Sequence, residues 1–408
     1  MAADSAPHAG AAQRGPWRTP MTPRSPAEPH RAATPLELLF DLCFVVAVSQ
    51  AAAQLRHALA EGHIGEGVLG YAMVFFAIWW AWMNFTWFAS AYDTDDVPYR
   101  LLTLVQMTGV LVLAAGVRDA FDSYDFGLVT AGYVIMRVAM IPQWLRAAAA
   151  DPPGRPAALR YAVGITVVQV GWVARLALPH PGDYIGFAVL VAAELAVPAW
   201  AESGGRQTSW HPSHIAERYG LFTIIVLGEV LLATLAGIRT SVTEHGLSTS
   251  LLVVVIGGLI LVFGMWWIYF AGPGPRLPSL RAALTWGYGH YVVFASVAAL
   301  GAGLEVTVEA VEHRGHLTET ATAWTVAVPV ALYLLVLGPL HRLVRSGAVA
   351  HLALVVAGPV VVLALAALAG PLTLEGAVLG MGVALALSLT ANLVLIHRRS
   401  CRTGGRTE

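Results

Sequence analysis

Glu37 and Asp41 stand four residues apart in the otherwise apolar stretch TPLELLFDLCFVVAVSQAAAQL, residues 34–55. Four residues is one helical turn plus about 40°, so both carboxylates project to one side of a helix. A second stretch, HPSHIAERYGLFTIIVLGEVLLATLAG at 211–237, carries His214, Glu217 and Arg218 at its opening and Glu229 near its middle. Arg218 and Glu229 share a helix face but stand about 16 Å apart along it, too far to pair directly. Arg137 and Glu194 lie near the centres of two further apolar runs, and His290 lies in a third, TWGYGHYVVF. An unpaired arginine at the centre of a membrane helix costs about 2.5–3.5 kcal/mol or more, so such groups usually face inward, find partners and mark ion or solute pathways. The chemistry open to this set is proton exchange at the carboxylates and imidazoles, against guanidinium counter-charges.

Each group has a plainer reading beside the chemical one. TPLE reads as a Thr cap, a Pro in the first turn and a Glu at the third helical position, which gives Glu37 a capping role. Asp41 is too deep for that role. Glu217 can complement the N-terminal dipole of its own helix, whereas Glu229 at mid-helix cannot. Arg137 can pair with Glu194 or Glu229, either as a structural clasp or as a site whose counter-ion exchanges. His211, His214 and Glu217 have ligand-like spacing, but no HExxH motif accompanies them; a helix cap is the plainer account and no metal is assigned. His290 is read as hydrogen-bonded core or as a proton-relay residue. Trp79, Trp80, Trp82, Trp87, Trp266 and Trp267 read as an interfacial aromatic belt. Glu305, Glu309 and Glu312 read as a solvated helix end. No catalytic residue and no cofactor is assigned: there is no phosphate-binding GxxxxGK[ST] loop, and Cys43 and Cys401 suit neither a disulfide nor a cysteine metal site.

The elements that must carry these residues follow from composition. The chain has 408 residues, 57% hydrophobic and 12% charged, with a net charge of −1, which points away from nucleic acid. A bilayer core takes about 20 apolar residues per spanning helix. Twelve such runs lie between residues 36 and 396, the eleventh at 349–369, so the expected fold is all-α, a polytopic membrane bundle of about twelve transmembrane helices. All 24 basic residues are arginine. Placing the N-terminus in the cytoplasm puts 18 of them inside, 5 outside and Arg137 within the membrane, in accord with the positive-inside rule. Glu37 and Glu217 each open a helix, FFAIWWAWMNF (75–85) resembles VFGMWWIYF (262–270), and Arg100 and Arg281 each open the next helix. These correspondences predict two six-helix pseudo-repeats in the same orientation, 36–202 and 214–397, joined by a cytoplasmic linker at 203–213. Residues 1–35, rich in Pro, Ala and Arg, are expected to form a disordered cytoplasmic tail, and 398–408 a basic one.

The segment ELLFDLCFVVAVSQ (37–50) is similar to the signature E-L-F-F-D-L-x-F-V of the bacterial low temperature requirement A (LtrA) proteins. HIAERYGLFTIIVLGEVLLA (214–233) is similar to that family's second block, H-x-x-E-R-x-G-L-F-x-I-I-x-L-G-E. Glu37, Phe40, Asp41, His214, Glu217, Arg218, Gly220, Gly228 and Glu229 match position by position, and the likeness covers about 34–397. The resemblance implies a polytopic membrane protein linked by name to growth in the cold, and no known reaction. Three function classes compete. The first is a proton-coupled secondary transporter or permease of unknown substrate, in the bacterial inner membrane. The second is a cation channel. The third is a membrane enzyme or lipid-state sensor using Glu37, Asp41, His214 and Glu217 at the cytoplasmic face. The partners implied are the lipid bilayer, a proton or other cation, a small solute and, left open, further copies of the chain; nucleic acid is not among them.

Overall fold

The structure is a computed structural model that describes residues 17–28, 31–271, 277–312, 316–344 and 356–404. The described residues form fourteen helices and no strand. Eleven helices are long and apolar enough to cross a membrane. They are α1 (Pro35–Ala60), α2 (Ile64–Tyr92), α3 (Val97–Ala115), α5 (Gly127–Ala150), α6 (Arg155–Arg175), α7 (Gly182–Glu202), α8 (Pro212–His245), α9 (Thr249–Phe270), α10 (Leu280–Val311), α11 (Glu319–Val344) and α14 (Leu374–Gly404). The eleventh expected run falls partly on 345–355, outside the described residues. Beyond it lie the shorter apolar α12 (Gly358–Ala367) and then α13 (Ala369–Leu372); α4 (Val117–Asp122) follows α3. The expected all-α polytopic bundle is the fold found.

The chain divides into two compact units. The larger comprises 26–90, 107–136 and 210–408, and within it α1, α8, α9, α10, α11, α12 and α14 pack on one another. α1 turns Glu37, Phe40, Asp41, Phe44, Val48 and Ala52 inward, as the wheel predicts, while Leu38, Leu39, Leu42 and Val46 are exposed. Where α3 and α5 meet within this unit, a Cβ on Gly109 would stand 2.7 Å from the Gly132 carbonyl oxygen. Only glycine permits that approach, the usual device where helices gain no hydrophobic drive from their surroundings.

Three tryptophans expected in an interfacial belt are core residues instead: Trp79, Trp80 and Trp82 are buried, while Trp266 and Trp267 remain exposed. Trp82 stacks on Phe222 at 4.4 Å and meets Phe294 edge-on at 5.7 Å. Burying so much ring area, with an inward partner for the Trp82 indole N–H, outweighs an interfacial position. Nor are Glu305 and Glu309 simply a solvated helix end, because Arg56 on α1 reaches both, at 3.4 and 2.7 Å.

The smaller unit comprises 1–25, 91–106 and 137–209. Here α6 packs on α7, and Trp144 stacks on Tyr161 at 4.2 Å. Asp96, in the turn before α3, accepts hydrogen bonds from the Thr19 N–H (2.8 Å), the Tyr99 N–H (2.9 Å) and the Arg146 guanidinium (2.5 Å). Burial raises the Asp96 pKa, but these three donors outweigh it and hold the carboxyl below its ordinary range.

Within the expected tail, residues 17–28 and 31–35 make contacts that composition does not announce. Met21 is buried, the Arg24 N–H bonds to the Ala91 carbonyl at 2.9 Å, and the Arg31 guanidinium donates to the carbonyls of Ala89 and Ser90. Composition missed this because the segment is tied down by polar contacts to helix ends, not by an apolar run. Residues 1–16 lie outside the described residues.

Candidate functional site

The site in the larger unit is built from two helix starts. Thr34 caps α1: its hydroxyl accepts the Glu37 N–H at 3.3 Å, and Glu37 Oε2 accepts the Thr34 N–H at 2.8 Å. This is the reciprocal capping box the sequence suggests. His211 caps α8. Its Nδ1 accepts the His214 N–H at 3.2 Å, and its Nε2 lies 2.8 Å from the Glu28 carbonyl oxygen, so the ring proton sits on Nε2. The plainer reading of His211, a helix cap, is the one observed. Among the described residues no group of three or more His, Cys, Asp or Glu is placed to hold a metal ion.

The two caps bring four ionisable side chains together. His214 Nε2 lies 3.2 Å from Glu37 Oε1, and Arg218 Nη1 lies 3.1 Å from the same oxygen. Arg218 Nη2 reaches Asp41 Oδ1 at 2.5 Å, and the Trp82 indole N–H donates to that oxygen at 2.7 Å. Arg218 thus bridges the two carboxylates. The side chains of Glu37, Asp41, His214 and Arg218 are each 0% exposed, or as closed as a residue can be. Among the described residues, none is a hydrogen-bond partner of Asp41 Oδ2 or His214 Nδ1.

The other residues singled out from the sequence fall elsewhere. Glu217, one residue before Arg218, is exposed, and its Oε1 accepts the Ala33 N–H at 3.2 Å. Glu229 is half-buried and within electrostatic range of Glu305. In the smaller unit Arg137 Nη2 lies 3.1 and 3.2 Å from the two oxygens of Glu194, so of the two acids offered by the sequence Glu194 is its partner. The Trp172 indole N–H also donates to Glu194, at 3.2 Å. His290 Nδ1 lies 2.7 Å from the Trp286 carbonyl and Nε2 lies 3.1 Å from the Tyr269 hydroxyl, so a neutral ring satisfies both contacts. Tyr219, Trp286 and Phe294 surround it.

Sequence reasoning missed three contributors. Trp82 looked like belt, and nothing local marked it as a donor to Asp41. Trp172 carried no signal as a donor to Glu194. Arg31 was assigned to the tail, and nothing local announced its contacts with α2.

The chain resembles an uncharacterized protein of Rhizobium meliloti (strain 1021), RA0937, at 29% identity over 282 residues, 64% of this chain and 66% of the relative. The matched part thus falls just short of two thirds of that relative's length. No solved structure matches. The pattern for the bacterial low temperature requirement A protein (LtrA) covers residues 32–390, which takes in both capped helix starts and all four cluster residues. The chain is a multi-pass membrane protein with many apolar helices, and it belongs to the bacterial low temperature requirement A family.

Proposed function

We propose that the protein is a proton-coupled secondary transporter of a small solute and that Glu37, Asp41, His214 and Arg218 are its proton-handling group. One observation carries the reading: two carboxylates share a single guanidinium in a fully buried site beside one imidazole. With the imidazole neutral, this contact set carries one net negative charge, and a single added proton balances it. An unbalanced buried charge is costly, so the group favours taking up a proton or another cation. Arg31 lies within electrostatic range of His214, and the acids Glu28 and Glu217 share its rim.

Protonating Asp41 frees Arg218 to close on Glu37, and protonating His214 tightens its bond to Glu37. Either event shifts α8 against α1, which is the movement a carrier needs. In this reading the six-helix halves, 36–202 and 214–397, share one orientation, both termini are cytoplasmic, and the cluster opens toward the cytoplasm. Arg137 with Glu194 is a balanced buried pair of the first half. Glu229 is a further acid on the route, and His290 backs the cluster from α10.

Reconstituted vesicles carrying a pH-sensitive dye in their lumen test this. A solute that drives proton movement, lost at least tenfold in Asp41→Asn, is the expected result. Current without any solute would instead favour a cation channel. Turnover of added lipid without flux would favour an enzyme or lipid sensor.

A further inference from the structure

A cavity of about 420 Å³ lies within the smaller unit, lined by the segment 18–21 and by the last turn of α5. Its size suits a small polar group such as a headgroup. Both charged residues that line it are arginines, Arg18 and Arg146. Pro20, Met21, Ala149 and Ala150 supply apolar surface.

The two guanidiniums are engaged differently. Arg146 Nη2 reaches Asp96 Oδ2 at 2.5 Å and the Thr19 carbonyl at 3.4 Å. Its Nη1 is buried, and among the described residues none accepts from it. A buried donor without an acceptor is costly, so an anionic oxygen seated against Arg146 is favoured. Arg18 is exposed, and no carboxylate among the described residues pairs with it. With Asp96 set against Arg146, these three side chains carry one net positive charge. Guanidinium forks match the oxygens of a phosphate group in geometry and in sign.

We infer that this cavity binds the phosphodiester headgroup of an anionic phospholipid, held between Arg18 and Arg146. Three observations favour a lipid over free phosphate. The cavity sits at the end of α5, a helix long and apolar enough to cross a membrane. Val138, Leu145 and Ala149 are exposed along α5 at spacings of seven and four residues, which places them on one face, and that face reaches the cavity at Ala149. Trp17, next to Arg18, is 76% exposed, and an amphipathic ring of that kind sits at headgroup level. Acyl chains thus have an apolar stripe to follow, and the phosphate has two arginines at its end. Basic pockets at the ends of spanning helices take anionic headgroups in this way. Bound there, the lipid fastens the segment 18–21 to α5, beside the carboxylate of Asp96 that already joins the Thr19 N–H to Arg146. The site uses no residue of the buried cluster and is independent of the transporter reading.

The test is thermal unfolding of the purified full-length protein in a non-ionic detergent, titrated in turn with phosphatidylglycerol, phosphatidylcholine and diacylglycerol of the same acyl chains, and with inorganic phosphate. Phosphatidylglycerol is expected to raise the melting temperature by a few degrees at about a hundredfold excess over its Kd. Phosphatidylcholine, which adds an ammonium group to the same phosphate, and diacylglycerol, which lacks the phosphate, should each bind at least tenfold more weakly. Inorganic phosphate at the same concentration should leave the transition in place. Arg18→Gln should weaken phosphatidylglycerol fivefold or more; the position is exposed, so the fold is not at stake. Arg146→Lys keeps a positive charge for Asp96, removes the fork and should weaken the lipid severalfold. Arg281→Gln removes the same charge from an exposed position in the larger unit and should change nothing. The inference is overturned if phosphatidylglycerol gives no shift, if phosphatidylcholine binds as tightly, or if Arg18→Gln leaves binding unchanged. It is equally overturned if inorganic phosphate alone matches the lipid, which makes the occupant a free anion. The same holds if Arg281→Gln weakens the lipid as much as Arg18→Gln does, which makes the attraction a diffuse one.

Discussion

Two buried charge groups, one in each compact unit, use the same parts in different proportions. In the smaller unit one guanidinium, Arg137, meets one carboxylate, Glu194, and an indole N–H from Trp172 completes the acceptor. In the larger unit one guanidinium, Arg218, meets two carboxylates, an indole N–H from Trp82 serves one of them, and a histidine faces the other. In the contacts named, the first arrangement sets one positive charge against one negative charge. With the imidazole neutral, the second sets two negative charges against one positive charge, and the proposed reading has a proton make up the difference. In the proposed reading stoichiometry, more than depth or burial, separates a clasp from a switch, since the charged side chains of both groups are nearly or fully enclosed.

The comparison is broken most directly at the arginines. Arg218→Ala leaves two buried acids without a counter-charge and is expected to cost about 3–5 kcal/mol, read as loss of folded protein after detergent extraction. Arg137→Gln should cost a similar amount by removing the guanidinium that faces Glu194. The double change Arg137→Gln with Glu194→Gln should recover most of that loss, because a neutral pair replaces a neutral sum. If the double variant folds yet abolishes proton movement, the smaller unit's pair is no clasp and the contrast fails. Asp41→Asn keeps the volume and an oxygen for Trp82 while removing the charge that asks for a proton. It should fold, lose at least tenfold in proton-coupled flux and flatten the pH profile of what remains.

Smaller effects sharpen the picture. Trp82→Phe removes one charge-assisted donor from Asp41 and should cost about 1.5–3 kcal/mol, read as a lowered melting temperature in detergent. Asp96 supplies the smallest test, remote from flux. Its folded carboxyl is held below the ordinary range, so its contribution is fully present above the unfolded value of about 3.9 and is lost as pH falls through the folded value. Acid unfolding of Asp96→Asn should therefore be shallower than that of the parent below about pH 4, while the pH dependence above it is unchanged.

How much could be seen beforehand varies by residue. The capping box at Thr34 and Glu37 was legible because its contacts are local, three residues apart. The inward face of α1 was legible because helical periodicity places Asp41, Phe44 and Val48 together. The partner of Asp41 was not. Arg218 lies 177 residues away, and no local pattern states which arginine closes on which acid. Arg137 had two candidate acids for the same reason. The tryptophans misled because an amphipathic ring is equally at home at an interface and in a core with a polar partner.

What the sequence determined by itself was the material: apolar runs that must become helices in a medium without water, the caps that start two of them, and the family, since two motif blocks carry it. Only the tertiary structure decided the charge arithmetic. A buried ion's state depends on which counter-charges lie within a few ångströms, and those neighbours come from helices far apart in the chain. Asp41 and Glu194 are both acids in apolar runs; packing sets Asp41 against a guanidinium that Glu37 also meets, and Glu194 against Arg137.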